Sequence, residues 1–227
     1  MPRDSTLAVV LERGEKKVFA VARDWPGWSR SGKSDQEAVA ALLSYAPRYA
    51  RIIKAARVKP SPPNAGATAK IVERHAGGSG TDFGVPGMPT KGDTAPLRGA
   101  ELDRQRAILV AAWDAFDAAA RRAEGKTLTV GPRGGGRSLA KMTGHVLEAE
   151  IAYLGQLGRR HAKPKPGDDE MALVRQEALA TLEAVTAGKP IENPRNTKRP
   201  WAPRYFMRRS AWHALDHAWE LEDRIKR

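Results

Sequence analysis

The amino-acid sequence predicts an α+β protein, in which a small N-terminal β-β-β-α module precedes four helices. Short apolar runs separated by turn residues fill residues 6–57, as expected for a small sheet and a following helix. Residues 58–98 are rich in Pro, Gly, Ser and Thr. From residue 99 onward, apolar residues recur with helical periodicity. We therefore expect a module over 1–60, a linker or extended packing segment over 61–98, and a four-helix bundle over 99–227.

The N-terminal module begins with two short β-type runs, Leu7–Leu11 and Val18–Ala22, separated by a predicted hairpin turn at residues 13–16. A third, less regular strand is expected before the helix. The helix begins where Ser34 stands at the N-cap position and Glu37 follows three residues later, which is the capping-box pattern.

Two further features bear on the first hundred residues. Pro47 lies inside the predicted helix, and we expect it to kink or shorten that helix because proline lacks a backbone N–H. Within the segment rich in proline and glycine, residues 69–74 (AKIVER) form a candidate fourth strand.

The four predicted helices span residues 99–124, 137–160, 168–187 and 203–226. Each carries an apolar stripe along one face, as expected when helices pack around a shared core. This pattern predicts a four-helix bundle.

Composition excludes several classes of protein. The 227 residues include no cysteine, which removes disulfides, thiolate nucleophiles, zinc fingers and iron–sulfur clusters. No apolar run is long enough to span a membrane, and the N-terminus lacks the apolar region of a signal peptide. We therefore expect a soluble cytoplasmic protein with no membrane partner.

The chain is strongly basic, with 39 Lys+Arg against 26 Asp+Glu and a net charge of +13. Such a charge is typical of nucleic-acid binding, but it also suits small anionic substrates, or reflects an arginine-rich proteome. We favour a small-molecule substrate over nucleic acid, and a homodimer stays open.

Three histidines carry the strongest chemical signal. His213 and His217 are four residues apart and therefore lie on one face of the last predicted helix. His145 flanks the apolar stripe of the second predicted helix. If these helices face each other, three imidazole nitrogens converge and leave coordination positions open for water or substrate, as in a catalytic metal site. Imidazole suits Zn²⁺, Ni²⁺, Fe²⁺ or Cu²⁺. The alternative is a set of core histidines that bind no metal.

A carboxylate follows each histidine at a spacing of three residues. These are the candidate acceptors for a ring N–H, or candidate general bases: Glu148, Asp216 and Glu220.

Two segments resemble the DinB/YfiT-like metalloenzyme family, residues 144–154 (GHVLEAEIAYL) and 212–220 (WHALDHAWE). They are similar to its second and fourth helices, and the resemblance covers residues 99–227. It implies an up-down-down-up bundle in which His145, His213 and His217 hold a divalent metal, most often Zn²⁺ or Ni²⁺. It also implies activities such as transfer or isomerisation with a low-molecular-weight thiol, which a chain without cysteine must take as a cosubstrate. The 98 preceding residues and the long loop 188–204 depart from the family pattern.

A second resemblance concerns the N-terminal module, which is similar to the HicB-like antitoxin fold. The matching residues are Asp24–Trp28, Gly32, Ser34, Glu37 and Ala38. Trp28 replaces the cysteine usual in that family. The resemblance implies either a partner-binding module or a structural appendage.

Two basic segments are candidates for anion contacts. The glycine-rich stretch 131–138 precedes the second predicted helix, where backbone N–H groups can bind anions, and it contains Arg133 and Arg137. The loop before the last helix contains Arg204 together with Trp201 and Tyr205. We expect the two aromatic residues to anchor that loop, and the glycine-rich stretch is alternatively only a flexible connection.

These observations together favour a divalent-metal-dependent enzyme, such as a thiol-dependent transferase or a hydrolase, acting on a small anionic substrate. The alternative is a non-catalytic module that binds nucleic acid or a protein partner through its basic surface and HicB-like domain.

Overall fold

The computed structural model of the chain describes residues 6–130 and 137–226. Within these ranges the protein is α+β, as predicted, with an N-terminal four-stranded sheet and seven α-helices. The strands are β1 (Thr6–Arg13), β2 (Val18–Ala22), β3 (Ser29–Gly32) and β4 (Thr68–Ala76). The helices are α1 (Asp35–Ser44), α2 (Ala46–Ala56), α3 (Ser79–Phe83), α4 (Gly99–Ala123), α5 (Leu139–Leu157), α6 (Glu170–Thr186) and α7 (Pro203–Arg224).

The sheet has the strand order β3-β2-β1-β4. Strands β1 and β2 form the predicted hairpin, in which Gly14 N–H donates to the carbonyl of Lys17 across 2.8 Å. Strand β4 is the predicted fourth strand, and it pairs with β1 in parallel. Because parallel strands need a crossover, α1 and α2 connect the two sides of the sheet. The sheet thus extends beyond residue 60 into the segment rich in proline and glycine.

The predicted N-terminal helix is divided into two. Ser34 caps α1 as expected, because its hydroxyl accepts a hydrogen bond from the Glu37 N–H. Helix α1 ends at Ser44, and Pro47 lies in the first turn of α2, where a backbone N–H has no partner within the helix. The proline therefore starts a new helix.

Two large aromatic residues form the centre of the module. Trp28 and Tyr49 are fully buried, and their rings stack with centroids 5.0 Å apart. Each ring also has a hydrogen bond to a backbone carbonyl, from Trp28 Nε1 to Leu42 and from Tyr49 Oη to Pro26, both at 2.8 Å. Trp28 is therefore a core residue of the module.

The module packs directly against helix α7. Gly27 has a positive φ of 87°, and a Cβ at this position would lie 2.9 Å from Leu215 Cδ1 and 3.0 Å from Ala211 Cβ. The turn before β3 therefore approaches α7 as closely as a glycine allows. Buried apolar residues of the sheet module and of the long helices form one continuous cluster.

The four long helices agree with the predicted segments to within three residues at each end. Helix α7 contacts α4 most extensively and also packs on α5 and α6, while the sheet module covers its remaining side. Most of α7 is consequently buried, including Arg208, Arg209, His213, His217 and Arg224. A buried helix with this many charged and titratable residues points to a functional role.

Among residues 6–130 and 137–226, no helix combines the length and the apolar character needed to cross a membrane.

Candidate metal centre

Three histidines from two helices converge inside the helical part of the molecule. His213 and His217 lie one turn apart on α7, and His145 approaches them from α5. The Nε2 atoms of His145 and His213 are 3.2 Å apart. One nitrogen from each of the three rings lies within 4.8 Å of the other two. Two segments that are far apart in the sequence therefore meet in one cluster.

The environment of the cluster favours neutral imidazoles. His213 is 6% exposed and His217 is 3% exposed, while His145 is partly buried. Burial lowers the pKa of His213 well below its ordinary value, and the charges of the neighbouring His217 and Arg209 lower it further. Neutral imidazole is the form that binds metals.

The residues present fit a divalent cation. Nε2 of His213 and Nε2 of His145 face each other across 3.2 Å, which is close to the separation of two ligand nitrogens on one tetrahedral cation. Nδ1, the other nitrogen of the His213 ring, is buried and has no hydrogen-bond partner in the described part of the chain. Zn²⁺ and Ni²⁺ accept such a donor set.

Glu220 contacts one of the histidines, as its spacing predicts. Its Oε2 lies 3.2 Å from His217 Nδ1, and its Oε1 accepts a hydrogen bond from Arg224 across 3.1 Å. A carboxylate on Nδ1 fixes the orientation of the ring and leaves Nε2 for a metal. Arg224 in turn holds the carboxylate in place.

The other two candidate carboxylates lie elsewhere. Asp216 accepts a hydrogen bond from Arg30 of β3 across 2.7 Å. The Arg30 guanidinium also stacks over the rings of Tyr45 and Trp219, at 3.9 and 4.8 Å from their centroids. Glu148 is exposed on α5. The contacts therefore distinguish Glu220 from these two residues.

The three candidate anion-binding arginines have different placements. Arg137 lies close enough for its charge to lower the pKa of His213. Arg204 pairs with both carboxylate oxygens of Glu101 and donates to the carbonyl of Ala95. Since it precedes His213 by nine residues on α7, it lies roughly 13 Å away along the helix axis, and the structure does not bring it to the histidines. Arg133 and its glycine-rich neighbours fall outside the described residues.

The model of the DinB superfamily matches residues 108–221, half of the chain, and the matched segment contains all three histidines. The chain belongs to the DinB superfamily. Members of this superfamily often depend on a metal, in keeping with the three-histidine cluster. No curated protein and no solved structure matches the chain.

Two residues that the sequence analysis did not select lie beside the three histidines. The Tyr153 ring lies 5.7 Å from that of His213, and the Arg209 guanidinium lies 5.3 Å from the Tyr153 ring and 4.6 Å from the Trp212 ring. Helical spacing was the available signal, because Arg209 precedes His213 by four residues and Tyr153 follows His145 by eight.

The loop before α7 covers the Tyr153 side of the DinB cluster. The Trp201 ring packs against those of Tyr153 and Tyr205, with centroids 5.1 and 4.8 Å away. The backbone N–H of Trp201 donates to the carbonyl of Gln156 across 2.8 Å. These contacts anchor the loop through Trp201, as expected, whereas Tyr205 lies in the first turn of α7.

Proposed function

We propose that this chain is a divalent-metal-dependent enzyme of the DinB type, with His145, His213 and His217 as its metal ligands. The observation that carries the proposal is the convergence of one nitrogen from each ring to within 4.8 Å in a buried site. Zn²⁺ or Ni²⁺ is the expected ion. When bound, such an ion supplies Lewis acidity beside positions that a substrate or cosubstrate can occupy.

The chain's own residues prepare this site in three ways. Burial keeps the His213 imidazole neutral, and Glu220 orients His217 through Nδ1. Trp201 packs on Tyr153, whose ring lies beside that of His213, so aromatic rings line one side of the cluster. The contacts favour Glu220 over Asp216 and Glu148 as the residue that positions a ligand ring.

We propose a reaction class of thiol-dependent transfer, or hydrolysis, on a small anionic substrate. The absence of cysteine from the chain requires that any thiol come from a low-molecular-weight cosubstrate. The positive charges of Arg137 and Arg209 act on the cluster, which favours a ligand of negative charge.

At the level of the fold, we propose that α4 to α7 form the up-down-down-up bundle of the family over 99–227. We further propose that residues 1–60, together with β4, form a HicB-like module that is structural here. The close packing of Gly27 on Leu215 supports this role, because it places the module against the helix that carries His213 and His217.

Metal analysis of the purified protein tests the metal proposal. We expect about one equivalent of Zn²⁺ or Ni²⁺ per chain, lost in the His213→Ala/His217→Ala double variant. His75→Ala is the matched control, because His75 pairs with Glu73 in β4, away from the cluster. A folded wild-type protein that takes up neither ion during titration would overturn the proposal.

A second candidate function is nucleic-acid or partner-protein binding without catalysis, which the net charge of +13 favours. It predicts metal-free protein that binds nucleic acid with a steep salt dependence. Electrophoretic mobility shifts at several salt concentrations measure this, and sedimentation in the same buffers decides whether the chain is a homodimer.

A further inference from the structure

Arg209 is a buried arginine whose charge has no counterpart in the described part of the chain. It is 8% exposed, and its Nη1 is buried without a hydrogen-bond partner among the described residues. No described carboxylate forms an ion pair with it. The other buried arginines of the described residues are paired: Arg159 with Glu177, Arg175 with Asp117 and Glu150, Arg208 with Asp93 and Arg224 with Glu220.

The surroundings of Arg209 compensate its charge only in part. Its guanidinium lies over the rings of Tyr153 and Trp212, and such cation–π contacts stabilise a buried cation modestly. Because an unpaired buried charge is strongly destabilising, an anion bound beside this guanidinium would be stabilised by it. Trp212 adds a second unsatisfied group, because its Nε1 is buried and has no acceptor in the described residues.

The position of Arg209 connects this unpaired charge to the metal centre. Arg209 lies one helical turn before His213 on α7, so the two side chains share a face of the helix. Both side chains also lie beside the ring of Tyr153. The centre of that ring is 5.3 Å from the Arg209 guanidinium and 5.7 Å from the centre of the His213 imidazole. A small ligand that reaches the histidines is therefore also within reach of the guanidinium.

We propose that Arg209 binds the carboxylate of an organic acid that occupies the three-histidine site, and so determines its specificity for carboxylate substrates or cosubstrates. This inference rests on the proposed function. A guanidinium presents a planar set of N–H donors that matches the two oxygens of a carboxylate. One arginine and one indole N–H suit a single carboxylate group, which carries one negative charge, better than a phosphate group with two, which needs more positive charge.

The test is calorimetric titration of the full chain with succinate, in chloride-free buffer, with and without bound Zn²⁺. We expect Arg209→Gln to weaken succinate binding by about tenfold or more, because a charge-assisted pair is lost. Arg209→Lys keeps the charge without the planar fork and should lose part of the affinity. The matched control is Arg106→Gln, which removes an exposed arginine of α4 and should bind succinate like the wild type.

Unchanged succinate affinity in Arg209→Gln would overturn the inference, as would an equal loss in Arg106→Gln. Phosphate that binds as tightly as succinate, and depends equally on Arg209, would overturn the assignment to carboxylates. If Arg209→Gln does not fold, Trp212→Phe removes the indole N–H while keeping the ring, and unchanged binding there would also count against the site.

A Zn²⁺ titration of each variant separates this inference from the metal proposal. Wild-type Zn²⁺ affinity together with unaltered succinate binding in Arg209→Gln means that only the carboxylate site is wrong. Succinate binding that depends on Arg209 in a chain that binds no metal means that only the metal proposal is wrong.

Discussion

Arg30 and Asp216 form an ion pair 2.7 Å long that joins strand β3 to the helical turn between His213 and His217. The Arg30 guanidinium also lies over the rings of Tyr45 and Trp219, so the ion pair and two cation–π contacts together hold the side chain in place. The sheet module therefore contacts the metal-site helix at the turn that spaces the two histidines.

Replacing this ion pair should weaken both the fold and the site. We expect Arg30→Met to lower the free energy of unfolding by about 1–3 kcal/mol, because the largely buried Asp216 loses its ion pair with Arg30. Zn²⁺ affinity should fall with it, as the turn between the histidines loses its support. Denaturant unfolding and metal titration measure the two effects. In the control, Arg13→Met breaks the more exposed pair with Asp35 and should change stability by less than about 1 kcal/mol.

The Gly27 turn offers a test of the packing between the module and α7. Gly27→Ala should destabilise the protein by about 2–4 kcal/mol, because the new Cβ meets Leu215 and Ala211 and the residue must keep a positive φ. Gly125→Ala separates the two causes. Gly125 also has a positive φ, of 67°, but a Cβ there meets no atom within 4 Å, so only the conformational strain remains. Equal thermal shifts in the two variants would contradict close packing at Gly27.

Glu220 should tune metal affinity through His217. We expect Glu220→Gln to weaken Zn²⁺ binding by roughly 10-fold, since the neutral amide orients and polarises the imidazole less well. Competition with a chromophoric chelator measures the affinity. Glu222→Gln, on the same helix but paired with Arg122 and Arg48 at the surface, is the control and should bind Zn²⁺ like the wild type. An identical affinity for all three proteins would remove Glu220 from the site.

His145 is expected to serve the metal more than the fold. His145→Ala should weaken metal affinity by an order of magnitude or more while leaving a cooperative unfolding transition, because the side chain is only partly buried. Calorimetric metal titration and circular dichroism melting measure the two properties separately. Full occupancy at unchanged affinity in the variant would mean that His145 is not a ligand.

A buried carboxylate gives the fold a pH dependence that is separate from the metal site. Burial raises the pKa of Glu150 from 4.5 to about 7, although the adjacent Arg175 opposes the shift. Folding therefore favours the protonated carboxyl. Its stabilising contribution is complete below pH 4.5 and is lost as the pH rises to about 7, by up to about 3 kcal/mol.

The corresponding measurement compares the unfolding free energies of wild type and Glu150→Gln between pH 4 and 8. Because glutamine cannot ionise, the variant should gain stability relative to the wild type across that window. The exposed Glu15→Gln provides the control, with a difference from wild type that stays flat. A flat difference for Glu150→Gln as well would contradict the raised pKa.

Features that depend on local sequence were predictable. Helical periodicity located α4 to α7, the Ser34 cap located the start of α1, and Pro47 marked the break before α2. The spacing of His213 and His217 fixed their common face, because four residues span about one helical turn. These properties arise within a few residues of chain and need no knowledge of distant contacts.

The partners of charged side chains were decided only by the tertiary structure. Asp216 and Glu220 have similar spacings from a histidine, yet one pairs with Arg30 of the sheet and the other contacts His217. Arg204 and Arg209 look alike in the sequence, but Glu101 neutralises the first and no described carboxylate pairs with the second. Helix α7 is covered by the other long helices and by the sheet module, so periodicity alone assigns no single inner face to it. Packing between segments far apart in the chain selects the neighbour on each side, and through that choice separates structural ion pairs from the residues of the site.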